Sequence, residues 1–96
     1  MSAPLRQADA TVTSVTAATS STQLFAAKSA AQRLVYNDST ANLRLKFGTA
    51  ASASSFTVLI PPQGLFEFPG QCFDNVVHGI WEAADGGAAR CTEVSD

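Results

Sequence analysis

The sequence predicts an all-β chain folded as a single antiparallel β-sandwich. Three observations lead there. Leu43 to Phe47 alternates apolar and charged residues with a period of two, which marks a strand buried on one face and wet on the other. Turn-forming residues punctuate the chain from Gln32 onward at intervals of about 8 to 12 residues, the spacing of small sandwiches and barrels. No stretch of helical length carries an apolar period of 3.6. Short connections then impose antiparallel pairing, because parallel neighbours need crossovers of about a dozen residues or more. With 96 residues there is room for one domain.

The elements follow in order. Residues 1–10, with Pro4, Arg6, Gln7 and Asp9, show neither period and read as a flexible N-terminal arm, leaving 11–96 for the sandwich. Thr11 to Ala17 is β-branched and mostly small. As a strand it has only Val12 and Val15 as anchors and packs weakly unless a neighbour covers it. Gln23 to Ala26 carries Leu24 and Phe25, and the Ala-rich stretch Ala26 to Gln32 is the one place where helix propensity is appreciable, so a loop with at most one helical turn is expected. Arg33 to Asn37 reads as a strand with Leu34 and Tyr36 on one face. Asp38, Ser39, Thr40 and Asn42 then form a turn, since their side chains bond nearby backbone.

After Leu43 to Phe47, Gly48 and a small-residue loop lead to an inward set of Phe56, Val58 and Ile60. Pro61-Pro62 ends that strand because proline cannot donate to a ladder. Leu65 to Phe68 follows, with Phe66 and Phe68 on one face, and Pro69-Gly70 closes it. Val76 to Ala84 and Ala88 to Val94 flank Asp85-Gly86-Gly87, whose glycines suit a tight hairpin. Six well-supported strands lie beyond Gln32 and one or two weaker ones precede it. Jelly-roll-like and immunoglobulin-like orders both satisfy this pattern.

Composition narrows the function. Ala, Ser and Thr supply 36 residues, and the formal net charge is −2. Without a basic footprint, direct nucleic-acid binding is not expected. No stretch has the roughly 18 apolar residues of a membrane span, and the start MSAPLRQADA lacks the apolar run of a secretory signal. Synthesis in the cytosol is therefore expected, with no membrane partner. Cys72 and Cys91 form no CxxC pair. Buried, reduced thiols are the ordinary reading in a reducing compartment, and a Cys72–Cys91 disulfide formed in oxidising surroundings stays open.

Chemistry is thinly supplied. His78 is the single histidine, within a strand, and nothing in the sequence orients it beside a cysteine or serine nucleophile. Three soft ligands without characteristic spacing do not suggest a metal site. Glu67 and Glu82 fall at outward strand positions, and Asp38, Asp74 and Asp85 fall in or beside turns. No phosphate-cradling glycine motif is present. The expectation is a non-enzyme with no cofactor and no catalytic or metal residues.

Two-sided strands point instead to an interface. Ile80 and Trp81 are adjacent and face opposite sides, so one of them needs cover from another chain or a loop. Val76-Val77, Val58-Leu59-Ile60 and Leu65-Phe66 break alternation in the same way. The interface candidates are Trp81, Ile80, Phe66, Leu59, Val77 and, from the arm, Arg6.

A longer string carries a resemblance: STQL at Ser21 to Leu24, LVYNDSTANL at Leu34 to Leu43, Phe47-Gly48, ASASSFTVLIPPQG at Ala51 to Gly64, and GIWEAADGGAARCTE at Gly79 to Glu93. Over roughly three quarters of its length the chain resembles a family of small virion proteins of tailed double-stranded DNA bacteriophages. Pro61-Pro62 and the two cysteines depart from that family's pattern. The resemblance implies a capsid decoration or cement protein on the virion surface. Its partner would be the major capsid protein, and it would act as a homo-oligomer, dimer or trimer. The alternative is a head-fibre, spike-base or tail-associated module touching a host surface glycan or another virion protein.

Overall fold

The computed structural model describes residues 10–70 and 72–95. Among these there is no helix, and eight strands follow one another: β1 (Ala10–Thr16), β2 (Thr22–Phe25), β3 (Ala30–Asp38), β4 (Leu43–Phe47), β5 (Val58–Ile60), β6 (Leu65–Glu67), β7 (Val77–Trp81) and β8 (Ala88–Ser95). One sheet runs β1-β8-β3-β6 and the other β2-β7-β4-β5, with every pairing antiparallel. The chain is thus a long hairpin rolled up on itself, since β1 pairs β8, β2 pairs β7, β3 pairs β6 and β4 pairs β5. That order is a jelly roll, which decides between the two orders left open by the sequence.

Burial follows the pleat. In β4, Leu43 and Leu45 are fully buried while Arg44 and Lys46 face outward, as their alternation predicts. Each buried leucine contributes about 1.5–3 kcal/mol. Opposite them lie Val35, Ala89 and Cys91 of the facing sheet. Phenylalanines fill one end of the core: Phe47 stacks on Phe68 (centroids 4.9 Å apart) and on Phe73 (4.6 Å), and Phe25 meets Phe68 edge-on at 5.7 Å.

Three expectations are corrected. The segment around Leu24 is a strand, not a loop. A register shift between Gln23 and Phe25 lets Leu24 and Phe25, though adjacent, both enter the core, and that burial overrides local helix propensity. In β3 Leu34 and Tyr36 do share a face, the outward one, and the inward residues are Arg33, Val35 and Asn37. Asp85-Gly86-Gly87 does not close a hairpin, because β7 and β8 belong to different sheets. The chain crosses between them there, with Gly86 at φ 88° and a Cβ on Gly87 only 2.4 Å from that of Ser39. Phe56, assigned to an inward set, is 39% exposed and lies ahead of β5, against the guanidinium of Arg44.

Two buried polar side chains hold the roll together. All five N–H groups of the Arg33 guanidinium have acceptors: Nε meets Glu93 Oε2 (2.7 Å), and Nη1 and Nη2 reach the carbonyls of Phe73, Asn75, Ala26 and Asp74. Phe25 lies against its plane, 4.6 Å from ring centroid to Cζ. Four residues along the same face, the Asn37 amide donates to the carbonyls of Ala41, Ile60 and Pro61 and accepts from Ser39 Oγ and Trp81 Nε1. A polar group buried without partners costs several kcal/mol. Complete pairing removes that cost here and turns each residue into a clamp on loops that carry few apolar side chains.

Candidate interaction surface

Strand register sorts the six interface candidates by face. Trp81 lies opposite Leu43 and is 2% exposed, and Val77 lies opposite Phe47 and is fully buried. Both belong to the core, which corrects their assignment to a surface. The reason is parity: positions 77, 79 and 81 share the inner face of β7, so the outward residues are His78 and Ile80. Phe66 is opposite Val35, half-buried, and tilts against Phe47 and Phe68, so it too faces inward. Arg6 lies outside the described residues.

Ile80 and Leu59 are brought together. Each is the direct cross-strand neighbour of Arg44, one on either side, on the outer face of the β2-β7-β4-β5 sheet. Ile80 is half-buried and Leu59 is 37% exposed. Phe56 adds a ring 5.3 Å from the Arg44 guanidinium, whose Nη1 pairs with Glu82 at 2.8 Å. Arg44 Nε is covered by its neighbours and has no acceptor among the described residues. The result is an apolar patch around a cation that keeps one donor unused.

His78, outward on the same sheet, sits 2.9 Å through Nδ1 from Ser21 Oγ. Ser21 Oγ also accepts from the Ala51 N–H at 2.9 Å. A serine–histidine contact is present that the sequence, which has no motif presenting a serine to His78, does not reveal. Among the described residues, no carboxylate hydrogen-bonds His78. The contact works as a pin joining the β1–β2 connection, β7 and the small-residue loop after β4. Among the described residues, no three His, Cys, Asp or Glu side chains gather as a metal site.

Both thiols are free. Cys72 is half-buried and faces the Phe73 carbonyl at 3.6 Å. Cys91 is 1% exposed, and burial pushes its thiol up to about 12. It also forms part of the floor of a groove of about 300 Å³ that runs along the inner face of β1, bordered by Thr13 and Val15 on one side and by Phe25 and Lys28 on the other. The groove lies between the edge strands of the two sheets, β1 and β2, with β8 beneath it. No known protein family, curated protein or solved structure matches this chain.

Proposed function

We propose that the chain is a bacteriophage virion structural protein, a capsid decoration or cement protein that binds and stabilises the lattice of the major capsid protein from the capsid surface. The observation that carries this reading is the jelly-roll strand order, found in a chain whose sequence string already resembles small virion proteins. Jelly rolls serve repeatedly as capsid modules, although a fold alone does not set a function. The outward patch of Ile80, Leu59 and Phe56 around Arg44 supplies a docking face of the required kind, with apolar area around a cation. A homo-oligomer, dimer or trimer, presents that face more than once, and on a repeating lattice avidity lets each contact be modest. No reaction and no cofactor enter this reading.

A fibre or tail-associated module that stacks a glycan on a tryptophan would need that ring in solvent. Trp81 is in the core, so it gives that alternative no support. Particles stripped of this chain are expected to lose resistance to heat and osmotic shock and to regain it when the purified chain is added back. Unchanged particles would overturn the cement role. Imaging of intact virions is expected to place copies at lattice multiples, and a copy number of about a dozen or fewer would favour a fibre or tail position instead.

A further inference from the structure

The four sheet edges are not alike. β5 and β6 are three residues each. Pro61-Pro62 follows β5 directly, and β6 carries Glu67 with Pro69 two positions on. β2 is four residues and interrupted by its register shift. These are the ordinary devices that stop an edge from pairing with a stranger: shortness, proline, charge and bulges. β1 has none of them. It is seven residues long, pairs β8 in unbroken register from Ala10 to Thr16, and contains no charge, proline or glycine. Among the described residues no strand covers its outer edge. Val12 on it is 62% exposed, the most exposed large apolar residue described.

We propose that β1 is a homodimerisation edge, pairing antiparallel with β1 of a second copy about a two-fold axis through Thr13. The second copy is the occupant that this strand fits. With Thr13 opposite itself, Val12 meets Ser14, Thr11 meets Val15 and Ala10 meets Thr16, so all seven residues overlap and no like charges face each other across the seam. The nearest cation, Arg90, is already paired with Asp38 at 2.9 Å and bonded to Ser14. The pairing joins two four-stranded sheets into one of eight and satisfies the open backbone groups of both edges. It also supplies the covering neighbour that a strand anchored only by Val12 and Val15 needs.

The geometry has a consequence for the shell. A two-fold axis perpendicular to the sheet keeps inner and outer faces in register, so the Ile80–Leu59 patches of both copies point the same way. The dimer is then a bivalent clip for a lattice. The pairing rests on the edge alone, and only this last step rests on the virion reading.

Sedimentation of the full chain over a concentration series is expected to show a dimer. Thr13→Lys, a change at an exposed position that sets two ammonium groups side by side on the axis, is expected to raise its dissociation constant about tenfold or more. Should Thr13→Lys not fold, Thr13→Cys decides. Residues paired across the axis have Cα atoms about 4.5–5.5 Å apart, within disulfide range. Mild oxidation with oxidised glutathione should therefore give a covalent dimer that peptide mapping locates at position 13. Val12→Cys, which lies diagonal to its copy, should cross-link more slowly. A wild-type monomer at every concentration, a trimer, a dimer indifferent to Thr13→Lys, or the absence of a bridge at position 13 overturns the pairing. Shell binding is read separately on stripped particles: a dimer that does not bind them overturns the virion reading alone.

Discussion

The indole of Trp81 donates from Nε1 to Asn37 Oδ1 across 3.2 Å, joining β7 of one sheet to β3 of the other. Asn37 is fully buried and Trp81 nearly so. The same oxygen accepts from Ser39 Oγ, while the amide nitrogen serves three carbonyls in two separate loops. Asn37 is therefore the branch point of this network and Trp81 one of its ends.

That asymmetry predicts unequal losses. Asn37→Asp keeps the shape but replaces the donor with acceptors facing three carbonyls, and should cost about 3–5 kcal/mol. Trp81→Phe removes one hydrogen bond and some ring volume while Ser39 still satisfies Asn37, and should cost about 1–3 kcal/mol. Urea unfolding followed by circular dichroism measures both. Equal losses would mean that Asn37 matters only as a partner for Trp81.

At the other end of β3, Arg33 holds two loops by their carbonyls and Glu93 by an ion pair. Arg33→Met keeps the length and the contact with Phe25 but leaves these acceptors without donors. A loss of about 3–5 kcal/mol is expected. Arg33→Lys should not rescue it, since an ammonium has three donors and no planar fork. Hydrogen exchange should quicken at Lys28, whose N–H bonds the Asp74 carbonyl between the two loops, well before it does at the Asn37 end.

These two side chains also explain which parts of the fold were legible. In β4 the outward residues are charged and the inward ones are leucines, so composition and face agree. In β3 the inward pattern is arginine, valine, asparagine, and only hydrogen bonds from distant loops make it suitable for a core. Alternation alone therefore groups the β3 residues by face without saying which face is inward. Asp85-Gly86-Gly87 carries sound turn chemistry, but which sheet the next strand joins is decided by non-local pairing that no local residue encodes. Of the interface candidates, Ile80 and Leu59 lie on the outer face, where broken alternation allows an apolar residue to stand. Trp81 and Val77 were misplaced because two adjacent apolar residues do not say which of them faces inward. The open edge at β1 was readable only as a weak strand; its meaning needed the contrast with three guarded edges.

The outer patch predicts a separation of binding from folding. Leu59→Glu puts a carboxylate beside Arg44, where a partner for the unused Nε–H is favourable within the chain. Stability should change by about 1 kcal/mol or less. Occupancy on stripped particles should fall sharply, because the variant charges the apolar face. Full occupancy with Leu59→Glu would exclude this face from shell contact.

Alkaline stability should report Cys91. Its thiol is held protonated by burial up to about 12, against an ordinary value of 9.0. Between these values the unfolded chain loses a proton that the folded chain keeps. The unfolded state thus binds fewer protons there, and stability falls as pH rises. The contribution is complete below pH 9.0 and lost by about 12. The slope it adds is at most about 1.4 kcal/mol per pH unit. Cys72, also raised by burial, acts in the same direction. Urea midpoints of the wild type and Cys91→Ala, compared between pH 8 and 11, isolate the Cys91 share: the variant starts less stable because of the volume removed, but its stability should fall less steeply. Parallel curves would mean that the thiol ionises without unfolding, through the groove along β1.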